Sequence, residues 1–186
     1  MRTDAAAVRP SLDTAMEALR ARGLELRRGS EPPTPDRSRP AIPTGRAALD
    51  VALGTGGWPR SALALLDAIP GSGATTLALG SLAACQASGG LVAWLDADGT
   101  FDPATAAHAG VDLAWLLMGR PRDGAEAIEL AAWLARGGLI DAFVLDLGTS
   151  VVPRAALDRL SMLEARAGGV GLLIAPAARD AAAAVA

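Results

Sequence analysis

"ALLDAIPGSGATTLALG", residues 64–80, runs from an apolar segment through a turn rich in glycine and proline into a segment rich in alanine and leucine. This order predicts a strand, a loop and a helix. A strand, a glycine-rich loop and a helix are typical of phosphate-binding loops, in which backbone N–H groups at the helix N-terminus surround the phosphates. The stretch therefore predicts a nucleotide-binding architecture.

The same loop lacks the residue that contacts the terminal phosphates. The pattern G-x-x-x-x-G-K-[ST] falls on residues 68–75, where Gly73 and Thr75 match it. Ala68 replaces the first glycine, and Ala74 replaces the lysine. We therefore expect weak or absent ATP binding at a vestigial site, whose loop residues are Gly71, Ser72, Gly73, Ala74, Thr75 and Thr76.

No lysine from elsewhere can replace the missing one, because all 17 basic residues of the chain are arginines. Arg60 and Arg120 are the candidates for a substitute. A guanidinium group is larger than an ammonium group and has a different hydrogen-bonding geometry, so the replacement would be imperfect.

Two aspartates follow predicted strands at the positions where nucleotide sites hold acidic residues. Asp98 ends the run "AWLDAD", and Asp146 ends "AFVLD". Carboxylates at the carboxyl ends of parallel strands orient magnesium and water in nucleotide hydrolysis. A single aspartate at such a place more often caps a strand end. We include both residues in the vestigial site because two aspartates follow neighbouring predicted strands after the loop.

The chain from residue 42 onward alternates short apolar runs with helical patterns. Nearly continuous apolar runs predict strands covered on both faces, as in a parallel sheet. The predicted fold is α/β, a mostly parallel sheet with helices on both faces. The predicted strands are 62–68, 90–98, 140–148 and 170–176, and the predicted helices are 75–87, 103–109, 124–136 and 153–167.

The first 41 residues read as a separate arm. Leu12, Met16 and Leu19 have helical spacing within residues 11–22, which predicts a short amphipathic helix. The segment "GSEPPTPDRSRP" that follows is typical of a linker. We therefore divide the chain into an arm, 1–41, and a core domain, 42–186, and we assign the three apolar residues to partner binding.

Composition excludes several classes of function. One cysteine and one histidine exclude a disulfide within the chain, a cysteine-based zinc cluster and a histidine metal site. The net charge of -3 gives no overall attraction to nucleic acids or membranes. No apolar run reaches the roughly 18 residues of a membrane span, and the first residues lack a signal peptide, so we expect a cytoplasmic protein.

"IPTGRAALDVALGTGGWP", residues 42–59, resembles the stretch before the phosphate-binding loop in the RecA family. The resemblance continues through "LDADGTFDPATAAHAGVDLAWLL" and "DGAEAIELAAWLARGGLIDAFVLD" to residue 153. It implies a RecA-like P-loop core. It also matches Thr75 to the magnesium-binding hydroxyl, Asp146 to the Walker B carboxylate and Asp98 to the catalytic glutamate. Aspartate shortens that side chain by one methylene, so the resemblance implies little or no hydrolysis.

Within this family the sequence most resembles ImuA, the RecA-like accessory protein of the lesion-bypass mutasome. The regions that correspond to the RecA DNA-binding loops are expected to be missing or reduced after residue 153. The resemblance implies a non-catalytic scaffold in DNA-damage-induced mutagenesis that binds ImuB, an inactive Y-family polymerase homologue. It also implies self-association through a RecA-type interface.

Three other functions remain open. One is a small RecA-type ATPase, and another is a SulA-type inhibitor of cell division, a more distant relative. The third is a DNA-binding recombination factor, for which the sequence offers a basic cluster in a solvated arm. Weak DNA contact by this cluster would be sensitive to salt. The cluster comprises Arg20, Arg22, Arg27, Arg28, Arg37 and Arg39.

The four tryptophans are predicted to pack in the core. Trp58 is the exception, since a Gly-Gly-Trp-Pro turn can expose its side chain. His108 is expected on a helix surface and Cys85 inside a helix, neither with special chemistry.

Overall fold

The computed structural model describes residues 17, 21, 40–67, 69–148 and 154–176. The chain divides into two compact units, Met1–Pro32 and Pro33–Ala186. In the first unit the backbone N–H of Ala21 donates a hydrogen bond to the carbonyl of Glu17, as in one helical turn. The predicted partner-binding residues and the first position of the loop pattern lie outside the described residues, namely Leu12, Met16, Leu19 and Ala68. Their roles and the domain boundary at residue 42 stay predictions.

Five parallel strands form the centre of the second unit. Their order across the sheet is β1-β5-β4-β2-β3, so the strand of the loop pattern is separated from β4 by one strand. The predicted α/β class with a parallel sheet is confirmed. The strands are β1 Ala62–Asp67, β2 Val92–Asp96, β3 Leu116–Gly119, β4 Ala142–Asp146 and β5 Val170–Ala175.

The three inner strands carry the most apolar sequences and are the most buried. Every residue of β2 and β4 is buried, as are the first five of β5. The outer strands β1 and β3 are only partly buried, and each exposes a leucine, Leu65 and Leu117. Continuous apolar runs are what a sheet covered on both faces requires.

Helices follow the strands along the chain. Asp102 and Asp123 cap two of them, because their carboxylates accept hydrogen bonds from N–H groups of the first turn. The helices are α1 Ala47–Ala52, α2 Ala74–Ala87, α3 Pro103–His108, α4 Gly124–Gly137 and α5 Arg154–Ala167, and a 3-10 turn covers Leu113–Trp115.

Two apolar layers cover the two faces of the sheet. Alternate strand residues point to opposite faces, so neighbouring positions such as Trp94 and Leu95 belong to different layers. One layer packs α2 and α3 on the sheet, and the other packs α4 and α5. Helices on both faces are therefore confirmed.

The expected four-stranded sheet was incomplete. The structure adds the edge strand β3, whose sequence "LLMG" is too short for an apolar run to mark it. The predicted strands were also longer than the observed ones; β2, for example, ends at Asp96 and not at Asp98. The residues after it form the loop to α3.

Three tryptophans differ from expectation. Trp58 is buried, because its indole N–H donates to Ser81 Oγ at 2.9 Å and its backbone pairs with Ile42. Trp115 and Trp133 are instead about two-thirds exposed, at 66% and 67%. Their helical periodicity was compatible with the core, but they lie at the end of the 3-10 turn and on the outer side of α4.

His108 is exposed at the end of α3, and Cys85 is buried within α2, as predicted. Among the described residues, no helix has the length and apolarity needed to cross a membrane.

Candidate functional site

The loop between β1 and α2 is folded on itself. Gly71 and Gly73 have φ angles of 81° and 82°, in the left-handed region that favours glycine. The backbone N–H of Ser72 donates to the carbonyl of Ile69 at 2.9 Å, and its hydroxyl donates to the carbonyl of Asp67 at 2.9 Å. These contacts give the loop a defined turn beside the helix N-terminus.

The first turn of α2 presents backbone N–H groups at the loop. Its N-cap is Gly73, which has no side chain to satisfy them. The N–H of Ala74 makes only a long contact, 3.4 Å, to Ser72 Oγ. Thr75 and Thr76 are exposed in the same turn. A helix N-terminus with such groups attracts anions, so the backbone part of a phosphate site is present.

Ala74 occupies the lysine position, and its methyl group is half-buried against the apolar layer that contains α2. It supplies packing where a phosphate-binding loop supplies a positive charge. The backbone of the site and its side-chain chemistry have therefore diverged.

Two aspartates lie side by side at the carboxyl ends of neighbouring strands. Asp96 of β2 and Asp146 of β4 are partners in the strand register, and both are buried, at 1% and 6% exposure. Asp96 accepts hydrogen bonds from the N–H groups of Thr100 and Phe101, each at 3.1 Å. Asp96 therefore fixes the loop after β2.

Asp146 has a less favourable environment for its negative charge. Its Oδ1 accepts a hydrogen bond from the N–H of Gly148 at 3.1 Å, which lowers its pKa. Burial has the larger effect and raises the pKa of this carboxyl above its ordinary value of 3.8, and the negative charges of Asp96 and Asp98 act in the same direction. This position holds a carboxylate at a cost to stability.

Asp98 lies in the loop after β2, and its side chain is exposed. A Cβ atom added at Gly148 would overlap Oδ2 and Cγ of Asp98 and would lie 2.7 Å from its Oδ1. The carboxylate of Asp98 therefore occupies the space where a side chain at position 148 would stand.

These elements line one open cavity of about 480 Å³. None of its described lining residues is basic, and two are carboxylates. Every residue of the predicted vestigial site borders it: Gly71, Ser72, Gly73, Ala74, Thr75, Thr76, Asp98 and Asp146. The structure thus brings the predicted residues together, and their relation to nucleotide stays a prediction.

Neither arginine considered as a substitute for the lysine lines this cavity. Arg60 precedes β1 and lies at the opposite, amino end of the sheet, where it forms an ion pair with Asp141 at 3.0 Å. It also donates to the carbonyls of Pro40 and Gly168 at 3.0 and 3.2 Å. Arg120 follows β3 and is exposed. The expectation that Arg60 can serve the loop was wrong, because a residue before a parallel strand lies a strand length from the loop after it.

Two residues that shape the site, Gly148 in its lining and Asp96 behind it, are not among the predicted site residues. The run "LDAD" offers two carboxylates, and the family pattern selects Asp98. Gly148 carried no signal beyond being a glycine after a strand. Their spacing from the strand ends, with Asp96 opposite Asp146, is the feature that identifies them.

The site fits magnesium–ATP poorly. A polyphosphate needs positive charge beside the backbone donors, and the described lining supplies carboxylates instead. Among the residues that the structure describes, no group of three or more His, Cys, Asp or Glu side chains is arranged to hold a metal ion.

Comparisons with known proteins give the relationship of the chain. Residues 27–186 match the family described as the RecA N-terminal domain. "Protein RecA" of Frankia casuarinae is 44% identical over 126 residues, covering 66% of this chain and 36% of the relative. "Protein RecA" of Clavibacter michiganensis is 40% identical over 151 residues, covering 80% and 41%. The protein of the same name from Acidothermus cellulolyticus is 41% identical over 143 residues, covering 77% and 41%.

The chain thus spans about two fifths of the length of these relatives. The comparisons confirm the resemblance to RecA and the RecA-like fold. The finer resemblance to ImuA, and the partner that it implies, stay predictions.

Proposed function

The chain belongs to the RecA N-terminal domain family, and from that premise we propose that it is a non-catalytic member, a scaffold that binds a protein partner and does not turn over ATP. The observation that carries the proposal is Ala74 at the lysine position, in a cavity whose described lining is acidic and without a basic residue. A loop lysine stabilises the charge that develops on the transferred phosphoryl group, and this lowers the activation free energy by roughly 3–4 kcal/mol.

Electrostatics at the cavity support this proposal. The N-terminus of α2 attracts an anion, but its partial charge equals only about half an elementary charge. Asp98 and Asp146 repel phosphate from the other side of the same cavity. With no lysine in the chain, the repulsion has no side-chain ammonium to offset it. We therefore infer that ATP binds weakly or not at all.

The core around the cavity is well packed. The inner strands are buried, and both apolar layers are continuous from sheet to helices. A well-packed domain that lacks the phosphate-binding side chain is what a non-catalytic scaffold requires. We infer that the role kept by this chain depends on its surface.

The exposed tryptophans supply two such surfaces, because Trp133 lies on α4, which packs in one apolar layer, and Trp115 borders a cavity beside α2, which packs in the other. Trp133 on α4 and Trp115 before β3 are 67% and 66% exposed, and Met162 on α5 is 63% exposed. Tryptophan and methionine are enriched in protein interfaces, where buried aromatic anchors carry much of the binding energy. These residues support a protein partner more than a nucleotide.

The partner that we propose follows from the resemblance to ImuA. It is an ImuB-like polymerase homologue, inactive itself, within the machinery of damage-induced mutagenesis. Self-association through a RecA-type interface and weak DNA contact belong to the same proposal as secondary properties. No observation of the structure favours a small ATPase, a recombination factor or a SulA-type division inhibitor over this role.

The test is direct binding of the purified chain to the ImuB-like homologue from the same organism, measured by biolayer interferometry. We expect a complex formed on the α4 side of the sheet, which Trp133→Ala weakens at least about tenfold, as for an interface anchor. Trp115→Ala is the matched control, because Trp115 is exposed to the same extent but borders a cavity beside α2, in the other apolar layer. The same preparation should release no phosphate from magnesium–ATP above a blank. No complex at micromolar concentrations would contradict the proposed partner.

A further inference from the structure

The loops after β2 and β4 meet at the acidic side of the cavity. The backbone N–H of Ala97 donates to the carbonyl of Asp146 at 3.0 Å, which joins the two loops just beyond the strands. Further along the first loop, Phe101 packs on Trp94 with ring centroids 5.2 Å apart. Together with the two N–H groups bound by Asp96, these contacts hold the backbone on both sides of Asp98.

The second loop is fixed by its own contacts. The N–H of Leu147 donates to the carbonyl of Ile174 at 3.0 Å, and the N–H of Gly148 donates to Asp146. Gly148 has a φ angle of 51°, in the left-handed region. The absence of a side chain at this residue opens the space that the Asp98 carboxylate fills.

We propose that Asp98 is a positioning residue in this chain: its carboxylate packs over Gly148 at the edge of the cavity and joins the loops after β2 and β4, so that it is held against the wall and not extended towards the phosphate loop as a water-activating group. Asp98 and Gly148 are then a matched pair, since any side chain at position 148 would force the carboxylate out. This inference rests on the proposed non-catalytic function and adds to the missing lysine a second, separate obstacle to hydrolysis.

The Asp98–Gly148 pair can be tested without nucleotide. A double-mutant cycle compares the melting temperatures of the wild type, the two single variants and the double variant. In the wild type, Gly148→Ala introduces both the strain of a left-handed backbone and overlap with the Asp98 carboxylate. In the Asp98→Ala background, the same change introduces the strain alone. Gly138→Ala is the matched control for strain alone, because Gly138 has a φ angle of 62° and nothing lies within 4 Å of its added Cβ.

We expect Gly138→Ala to lower the melting temperature by roughly 2–4 °C. Gly148→Ala should lower it by about 1–2 °C more than the control in the wild type, because the exposed Asp98 carboxylate must also leave its place, and by no more than the control in the Asp98→Ala background. Equal losses from Gly148→Ala in both backgrounds would overturn the inference, because the two residues would then be energetically independent.

A second arm measures turnover in the Ala74→Lys background, where nucleotide binding is restored. Asp98→Glu added to that variant should raise hydrolysis by less than about tenfold, because the longer carboxylate still enters the space above Gly148. Adding Gly148→Ala should raise it by at least a further tenfold, since the new methyl group displaces the side chain of residue 98 from the wall towards the centre of the cavity.

The two ideas fail in different ways. If Ala74→Lys does not bind ATP, the account of the missing lysine is wrong, and the thermal cycle still decides the Asp98–Gly148 pair. If Ala74→Lys with Asp98→Glu already gives full turnover, and Gly148→Ala adds nothing, the pair is not an obstacle and the inference is overturned.

Discussion

Replacement of Arg60 by methionine should lower the stability of the protein without changing nucleotide binding at the cavity. Arg60 lies at the amino ends of the strands, where its guanidinium binds the Asp141 carboxylate and the carbonyls of Pro40 and Gly168. The ion pair is largely buried, with side-chain exposures of 14% and 18%. Methionine keeps most of the apolar stem and removes all three polar contacts.

The expected loss follows from these contacts. Breaking a buried ion pair costs about 3–5 kcal/mol, because one charge stays buried without its partner. Residual exposure of both side chains reduces this cost, and we expect about 2–3 kcal/mol here. For a chain of this size each kcal/mol lowers the melting temperature by roughly 2–4 °C, so Arg60→Met should lower it by about 5–10 °C.

Thermal unfolding followed by circular dichroism measures this loss. Arg122→Met is the matched control, because the ion pair of Arg122 with Glu126 lies on the surface, where Arg122 is 84% exposed; its melting temperature should change little. A second variant, Arg60→Met with Asp141→Asn, should regain part of the loss, since the side chain that lost its guanidinium contact then carries no charge.

A melting temperature of Arg60→Met within about 1 °C of that of Arg122→Met would show that the buried ion pair contributes little to stability, contrary to this prediction. A separate result would also contradict it. If Arg60→Met changed nucleotide binding while leaving stability intact, the arginine would serve the cavity after all.

Two further predictions concern Asp146, in the site, and Gly57, in the segment before β1. Asp146→Asn should raise the melting temperature at pH 7 by a few degrees, because burial raises the pKa of this carboxyl above its ordinary value of 3.8 and its charged form therefore costs stability. The wild type gains stability as the pH falls through the raised folded pKa towards 3.8, because its carboxyl group becomes neutral. The difference in melting temperature between the two proteins should therefore vanish at acid pH. A difference that grew on acidification would contradict the prediction. Gly57→Ala should destabilise strongly, because its φ angle is 148° and an added Cβ would clash with the backbone of Ile42; Gly56→Ala, at φ 77° with open space, is the control in the same denaturant titration, and equal midpoints would contradict the prediction.

Much of the fold was accessible from the sequence because the inner strands are continuous apolar runs. β2 and β4 are buried at every residue, so nothing in their pattern competed with the strand interpretation. β3 escaped notice for the opposite reason. It has four residues, is half-buried and lies at an edge, and an element of that size leaves no periodicity.

The exposed tryptophans show a different limit. The periodicity of α4 places Trp133 among apolar residues, but periodicity does not tell which apolar positions on a helix face a neighbour. Trp133 is exposed, although Ala132 and Leu134 on either side of it are buried. Trp58 gave the reverse case, since its burial depends on a hydrogen bond to Ser81, 23 residues away in the chain.

The loop residues of the site were predictable because glycine-rich turns before helices have a local signature. The pairing of Asp96 with Asp146, and of Asp98 with Gly148, was not, because each depends on two strands that meet across the sheet. The local sequence determines the backbone N–H groups of a loop, whereas the pairing of strands determines which side chains lie opposite one another.

We propose that this RecA-family core neither binds ATP tightly nor hydrolyses it. Isothermal titration of the purified chain with magnesium–ATP, with Ala74→Lys alongside, tests it most directly. The account predicts no saturable heat in the wild type up to about 1 mM ATP and binding at least about tenfold tighter in Ala74→Lys, where the charged contact is restored. Micromolar binding with phosphate release by the wild-type chain would contradict it.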